Sequence, residues 1–298
     1  MTVTVVANPS SGRGRVSRIL PEVTDALAAA GVGARVVVTK DARDLRDAVR
    51  QSRDQGDERV IVCGGDGTMH LAAQELAGGE TALGIVPGGT GDDNARTLGI
   101  PRDSAAAAAR LAALGEVSRM DLGSVSSADG TERVFLGVLS SGFDSLVNER
   151  ANTMTWPKGN ARYLVAILGE LRTFRPVDYR ATFDGRVAAG QAMLVAVGNG
   201  VSYGGGMRVC PDAVPDDGLL DVTWLHGVRT ATFLRVFPQV FSGSHVHTPY
   251  VSTTRAEAIE LHAPDQVAYA DGERVGPLPV SITVLRGALP VVRGDVGA

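Results

Sequence analysis

Short β-branched runs alternate with stretches of helical periodicity over the first third of the chain. The valine-rich runs predict strands, and apolar residues three or four positions apart between them predict helices. The predicted strands are Val3–Ala7, Val36–Thr39, Arg59–Cys63 and Ala82–Val86. Strands that alternate with helices are typical of a parallel sheet, whose ligand site lies where the carboxyl ends of the strands meet the loops.

Two predicted helices mark the limits of this region. The first runs from Val16 to Leu27, and Pro21 inside it is a position where the helix could kink or restart. An alanine-rich helix at Ser104–Leu114 closes the region. The repeated strand–helix unit predicts a Rossmann-like N-terminal domain over residues 1–125.

The pattern changes near Ser126 to short strands joined by tight turns. The turn signals are Asp184-Gly185, Asn199-Gly200 and Asp217-Gly218. Two helical inserts are predicted near Asn160–Phe174 and Ala231–Phe241. The chain is therefore predicted to be an α/β protein in which a β-rich, sandwich-like domain over 126–298 follows the parallel-sheet domain, with a last strand that could return to the first domain.

Composition narrows the classes of function. The 298 residues carry a formal net charge of −4 and have a pI near 5.8, so no basic surplus attracts nucleic acid. Cys63 and Cys210 are too few for a disulfide framework, which favours a reducing compartment. We find neither a signal-like N-terminal run nor a stretch of about 20 apolar residues that would span a bilayer. We therefore expect a cytoplasmic protein.

Three glycine-rich segments each follow a predicted strand. They are Asn8–Gly14, Gly64-Gly65-Asp66-Gly67-Thr68 and Pro87–Asn94. Glycine lets a loop curl tightly enough to bring backbone N–H groups around phosphate, ideally just before a helix. A carboxylate in such a loop would repel phosphate unless a cation lay between them, so Asp66 indicates Mg²⁺–nucleotide. Asp92-Asp93 repeats the pattern, although acids favoured by a helix dipole would look the same.

These segments, together with others downstream, resemble the diacylglycerol kinase catalytic domain family, which includes sphingosine kinases and soluble bacterial lipid kinases. The other segments that carry the resemblance are Met120-Asp121-Leu122-Gly123, Val197-Gly198-Asn199-Gly200, Pro215–Asp221 and Asp271-Gly272-Glu273. Each is a weak signal alone, but the ordered set covers nearly the whole chain. One departure is Asp92-Asp93-Asn94, where the family usually has Asn-Asp followed by an apolar residue.

The resemblance implies an ATP-dependent kinase that phosphorylates a lipid hydroxyl, with diacylglycerol as the default acceptor. The residues implied for ATP binding are Asn8, Pro9, Ser10, Ser11, Gly12, Thr39, Gly64, Gly65, Asp66, Gly67, Thr68, Gly89 and Thr90. The implied partner is a lipid in a membrane or micelle, which a cytoplasmic enzyme would meet as a peripheral protein on the inner face. A homodimer stays open.

The resemblance also implies two Mg²⁺ sites and a base. Asp66, Asp93 and Asp121 would organise the catalytic Mg²⁺ and its waters. The ligands implied for a second, structural Mg²⁺ are the Asp217 carboxylate and the carbonyls of Val214 and Leu219. Either Asp271 or Glu273 would take the proton of the acceptor hydroxyl. From the tripeptide alone, a solvated hairpin turn would explain Asp271-Gly272-Glu273 better, and only the accompanying segments favour a base.

Three other functions fit parts of the sequence. NAD kinases and phosphofructokinases share a similar Gly-Gly-Asp-Gly loop, but the Asn8–Gly12 and Asp217 segments favour the lipid branch. Gly200-Val201-Ser202-Tyr203-Gly204 matches the pattern of a serine esterase with Ser202 as nucleophile, although a poor helix former follows it. A non-catalytic nucleotide or lipid sensor would be expected to lack the acidic residues. His245 and His247 lack an evident third ligand, and we assign them no role.

Overall fold

The structure is a computed structural model that describes residues 2–143, 145–147, 150, 154, 169 and 175–294. Its strands are β1 (Val3–Ala7), β2 (Ala34–Val38), β3 (Arg59–Gly64), β4 (Ala82–Pro87), β5 (Val117–Ser127), β6 (Glu132–Phe135), β7 (Val138–Gly142), β8 (Val177–Phe183), β9 (Arg186–Gly198), β10 (Leu220–His226), β11 (Val251–Ala256), β12 (Ala258–His262), β13 (Val267–Ala270), β14 (Glu273–Pro277) and β15 (Val280–Val292). The helices are α1 (Ser11–Ala29), α2 (Ala42–Asp54), α3 (Asp66–Leu76), α4 (Asp93–Thr97), α5 (Ala105–Leu114) and α6 (Thr230–Val236), with 3₁₀ turns at Phe237–Phe241 and Ser244–His247. Apart from residue 169, the insert predicted at 160–174 lies outside the described residues.

The N-terminal region is a parallel sheet in the order β4-β3-β1-β2. Its two central strands are apolar along their length, and side chains such as Val5 and Ile61 are fully buried because helices cover the sheet. Helix α1 packs against α5, and α2 packs against α3. The predicted parallel-sheet domain is therefore confirmed.

The C-terminal region is antiparallel. Strands β7 and β8 both pair with β9, and β10, β11, β12, β13 and β14 extend this network. Residues such as Phe135 and Ile259 form its buried core. The predicted fold class, a parallel-sheet domain followed by an antiparallel β-rich domain, is confirmed.

The last strand joins the two regions. β15 pairs antiparallel with β5 and β12, and near its end Val291 pairs parallel with Leu83 of β4. β5 runs through the predicted boundary at Ser126. One continuous hydrogen-bonded sheet therefore links the two regions.

Two local predictions need correction, while a third is confirmed. Non-helical backbone in α1 occurs at Gly12-Arg13-Gly14, with φ of 58°, 57° and 83°, whereas Pro21 lies within the helix. Asn199-Gly200 is not a hairpin turn, because both of its backbone N–H groups donate to the Gly137 carbonyl. Asp184-Gly185 does form the predicted two-residue turn between β8 and β9, with φ of 46° and 82°.

No helix within the described ranges is long and apolar enough to cross a membrane.

Candidate active site

The three glycine-rich loops meet at the carboxyl ends of β1, β3 and β4. The Gly88 N–H donates to the Gly64 carbonyl at 2.8 Å. A Cβ on Gly12, which has a φ of 58°, would lie 1.8 Å from the Gly88 carbonyl oxygen, and a Cβ on Gly89 would lie 2.7 Å from the Gly65 Cα. Side chains at these positions would hold the loops apart, so glycine is needed for the close approach.

Most residues predicted to bind ATP gather around this junction. The Asn8 N–H donates to the Cys63 carbonyl, and the Asn8 side chain accepts hydrogen bonds from Ser10. The hydroxyls of Ser11 and Thr68 lie 3.4 Å apart. Thr39 is buried beside the first loop and donates to the Ala7 carbonyl. These contacts bring the loops together, while the roles of the residues in binding ATP stay a prediction.

Asp66 and Asp93 face each other across Gly91. One carboxylate oxygen of each lies within 3.3 Å of the position that a Cβ on Gly91 would take. The Asn94 N–H donates to the other Asp66 oxygen at 2.9 Å. Burial raises the pKa of Asp66, and the charges of Asp93 and Asp92 raise it further. A cation between Asp66 and Asp93 would relieve this cost, so the donor set fits Mg²⁺.

Three groups already hold Asp93 in place. Arg96 Nη1 and Ser202 Oγ donate to one carboxylate oxygen at 2.6 and 3.0 Å, and the Gly205 N–H donates to the other at 2.6 Å. Asp93 therefore joins the nucleotide loops to the Ser202–Gly206 segment of the second domain.

The family departure at Asp92 has a local explanation, whereas the contact seen at Asn94 is made by its backbone. Asp92 has a φ of 51° at the start of α4, a left-handed conformation that Asp and Asn tolerate better than most residues. Its carboxylate accepts the Gly89 N–H at 2.9 Å, which closes the third loop. Asn94 is buried, and its backbone N–H binds Asp66.

The Asp271 side chain is 3% exposed, and donors enclose its carboxylate. It accepts backbone N–H groups of Leu136, Gly137 and Val138 at 2.9, 2.9 and 3.2 Å. His70 Nδ1 lies 3.0 Å from its second oxygen. His70 is fully buried on α3, one turn after Asp66, so this contact fixes the Asp271 turn to the helix of the nucleotide loop.

Glu273 is exposed two residues beyond Asp271, across Gly272 with its φ of 84°. In contrast to Asp271, its carboxylate has no hydrogen-bond or ion-pair partner within the described residues. Of the two candidate bases, only Glu273 has a carboxylate free to accept a proton from an acceptor hydroxyl.

Asp121 lies on another side of the sheet junction. Its carboxylate accepts the N–H groups of Gly218 and Gly287 at 2.7 and 2.6 Å. Asn199, which is fully buried, donates to the Asp121 carbonyl at 2.8 Å. The structure therefore places Asp121 against the Asp217 loop, and its predicted part in organising the catalytic Mg²⁺ stays a prediction.

Protein groups contact the Asp217 carboxylate, which the resemblance implies as a ligand of a structural Mg²⁺. One Asp217 oxygen accepts the Leu219 N–H, and the other forms an ion pair with Arg255. Arg255 Nε also lies 3.3 Å from Asp221. The Arg255 guanidinium therefore lies against the carboxylate that a Mg²⁺ would need, and the implied structural site at Val214, Asp217 and Leu219 stays a prediction.

Sequence reasoning missed four residues of this site. His70 and Asn199 make buried contacts to Asp271 and Asp121, Arg96 binds Asp93, and Arg255 binds Asp217. Two of them carried a signal: Asn199 lies in a segment that carries the family resemblance, and Arg96 lies three residues after Asp93 on a helix.

Ser202 is only 3% exposed and donates to Asp93. A nucleophilic serine needs an accessible hydroxyl and an adjacent base such as histidine, and neither condition is met. The esterase alternative is not supported by this geometry.

Comparison with known proteins identifies two family domains in the chain. The profile described as "Diacylglycerol kinase catalytic domain" matches residues 2–125. The profile described as "YegS C-terminal NAD kinase beta sandwich-like domain" matches residues 137–293.

Curated relatives match over nearly the full length. A "Diacylglycerol kinase" of Mycobacterium tuberculosis is 41% identical over 292 residues, which cover 98% of this chain and 94% of the relative. A "Diacylglycerol kinase" of Bacillus subtilis is 28% identical and covers 92% and 90% of the two chains. A crystal structure from Bacillus anthracis, titled as a diacylglycerol kinase, has the same fold with a TM-score of 0.75, 24% identity and coverage of 99% and 97%.

Proposed function

The chain belongs to the diacylglycerol kinase catalytic domain family of lipid kinases and is a phosphotransferase with an alcohol acceptor; we propose that it transfers the γ-phosphate of ATP to the free hydroxyl of diacylglycerol. The curated relatives named as diacylglycerol kinases support this choice of acceptor. The observation that carries the proposal is the meeting of three features at one place in the fold. The glycine loops, the Asp66–Asp93 pair and the turn bearing Glu273 come together at one edge of the sheet.

The glycine loops would hold the phosphates of ATP. Their close packing leaves backbone N–H groups near the first turn of α3, where the helix dipole favours negative charge. The Ser11 and Thr68 hydroxyls, 3.4 Å apart, lie at the same junction. Because phosphoryl transfer depends mainly on positioning and charge neutralisation, a rigid cradle is the contribution this domain makes.

Asp66 and Asp93 would hold the nucleotide's Mg²⁺. The ion, when bound, would neutralise charge on the transferred phosphoryl group. Three donors keep Asp93 in position, and the Asn94 N–H orients Asp66.

Glu273 would act as the base. Its exposed carboxylate would accept the proton of the acceptor hydroxyl as that oxygen attacks phosphorus. Asp271 would be a positioning residue, because four donors hold its carboxylate and orient the turn that carries Glu273.

The test is a phosphorylation assay with purified protein, γ-labelled ATP, Mg²⁺ and a panel of diacylglycerol, sphingosine and monoacylglycerol, followed by identification of the labelled product. Phosphatidic acid as the main product supports the proposal. Asp66→Asn is expected to abolish labelling while the protein keeps its melting temperature.

Preferential phosphorylation of sphingosine would show that diacylglycerol is not the preferred acceptor, while the assignment as a lipid kinase would stand. Labelling of NAD in place of every lipid would overturn the lipid acceptor. If Asp66→Asn turned over at the wild-type rate, the proposed Mg²⁺ site would be wrong.

A further inference from the structure

The helical segment Thr230–Phe241 is apolar on two sides. It consists of α6 and the 3₁₀ turn that follows it directly. One side packs inward through Phe233, Val236 and Val240, which are 2%, 3% and 8% exposed. Phe233 stacks on Phe237 with ring centroids 5.5 Å apart. This inner side fixes the segment to the domain core.

The opposite side exposes a second apolar row. We call Ala231, Leu234, Pro238 and Phe241 the exposed stripe; their spacing of three, four and three residues places them along one side of a helix. Leu234 and Phe241 are 52% and 55% exposed. A surface helix of a water-soluble domain normally turns a polar side outward, so this stripe needs a partner.

The charge around the stripe is positive. No acidic residue occurs between Asp221 and Glu257. Arg229, Arg235 and the nearby Arg208 are exposed, and none of the three forms an ion pair within the described part of the chain. This contrasts with the chain as a whole, which is acidic. An apolar row flanked by unpaired arginines complements a surface that is apolar inside and anionic outside.

The segment is also joined to the candidate active site. The Arg208 N–H donates to the Val240 carbonyl at 2.9 Å, and Tyr203 and Met207 pack against the apolar cluster that contains Val240. The same loop binds Asp93 through Ser202 and Gly205. A membrane in contact with the stripe would therefore lie beside the site at which its lipid must react.

We propose that the exposed stripe and its arginines form the surface on which the protein docks to an anionic bilayer. The purpose of the contact rests on the proposed lipid acceptor, but binding to vesicles can be measured without turnover. Leu234 and Phe241 would enter the acyl boundary, and the arginines would meet lipid phosphates. A second copy of the chain is the alternative occupant.

The experiment is sedimentation of the full chain with vesicles of phosphatidylcholine alone or of equal parts phosphatidylcholine and phosphatidylglycerol. The wild type should bind the anionic vesicles more tightly, and added salt should weaken this binding. The double variant Leu234→Asp/Phe241→Asp should lose roughly tenfold or more in affinity. Each of Arg229→Gln and Arg235→Gln should lose about fivefold, on anionic vesicles only.

Leu114→Asp is the matched control, because Leu114 is 56% exposed at the end of a helix in the other domain. It should bind vesicles like the wild type. A second readout is the ratio of activity on vesicle-borne diacylglycerol to activity on a short-chain, monomeric diacylglycerol. This ratio should fall by roughly tenfold in the Leu234/Phe241 variant and stay constant in Leu114→Asp.

Wild-type vesicle binding by the Leu234/Phe241 variant, or equal loss in Leu114→Asp, would overturn the proposal. So would a wild-type dimer that the double variant splits into monomers, since the stripe would then be covered by a second copy. The two proposals can also fail separately. If neither the wild type nor any variant phosphorylates diacylglycerol but vesicle binding changes as expected, the proposed acceptor is wrong and the proposed docking surface is supported.

Discussion

Asp271→Asn and Glu273→Gln should separate a residue that positions the base from the base itself. The two carboxylates are two residues apart, but Asp271 accepts four hydrogen bonds while buried and Glu273 is exposed. The first variant is expected to lose stability as well as activity. The second is expected to lose activity alone.

The magnitude for Asp271→Asn follows from its donors. An asparagine can keep its oxygen toward Gly137 and Val138, but its NH₂ group then faces the Leu136 N–H. A buried donor without an acceptor costs about 1–3 kcal/mol, and the remaining hydrogen bonds lose about 1 kcal/mol each with the charge. We therefore expect a loss of roughly 3–5 kcal/mol in the free energy of unfolding, or on the order of 10 °C in Tm.

The expected effect of Glu273→Gln differs in kind. An exposed side chain without a partner changes stability by less than about 0.5 kcal/mol. Loss of a general base lowers kcat by about 10²–10⁴-fold. Denaturant unfolding and steady-state kinetics on both variants, at saturating ATP and diacylglycerol, measure the two effects.

Asp184→Asn provides the matched control. Asp184 also occupies a left-handed turn position and accepts backbone N–H groups, from Glu257 and Ala258, but it lies in the exposed β8–β9 turn. It should change kcat little. If Asp271→Asn unfolded like the wild type and lost all activity, while Glu273→Gln stayed active, Asp271 would be the base and our assignment would be wrong.

Three further predictions follow from local contacts. Gly12→Ala should abolish ATP binding, measured by calorimetry, because the new Cβ would collide with the Gly88 carbonyl. Gly14 also has a positive φ but has free space around it, so Gly14→Ala should still bind ATP. Equal loss of binding in both variants would refute the clash. Because Arg255 neutralises Asp217, the Tm should not respond to Mg²⁺ or EDTA in the absence of nucleotide. Arg255→Gln should lower the free energy of unfolding by about 1 kcal/mol and make the Tm respond to Mg²⁺. A wild type stabilised by Mg²⁺ would contradict this expectation. Ser202 should not react with a fluorophosphonate probe, because it is buried and donates to Asp93; labelling that Ser202→Ala removes would restore the esterase alternative.

The features that sequence predicts well are those set by neighbouring residues. The three glycine loops, the parallel strands before them and the Asp184-Gly185 turn all depend on local backbone preference and on hydrophobic period. Pro21 misled the prediction for α1, because the residues that break the helix are the glycines of the first loop. Of these, Gly12 makes a close approach to Gly88, which lies in a different loop.

The features that sequence did not predict depend on residues distant along the chain. His70 and Asp271 are 201 residues apart, and their contact exists only because β13 pairs with β7 beside α3. The Asn199-Gly200 pair predicts a turn, but the buried Asn199 side chain donates to the carbonyls of Asp121 and Leu136. Arg255 reaches Asp217 across the β10–β11 pairing, which no spacing indicates.

The contact between His70 and Asp271 explains how two domains can share one reaction. Asp66, in the second glycine-rich loop, and His70 lie one turn apart on α3, so movement of the helix would carry both. Asp271 follows His70 and also binds the β6–β7 turn through three backbone N–H groups. The position of Glu273 relative to the glycine-rich loops is therefore fixed by the contacts of Asp271, two residues away, and not by contacts of the Glu273 side chain. If Glu273 is the base, as we propose, this arrangement would leave its carboxylate free to exchange protons while Asp271 fixes the position of the turn.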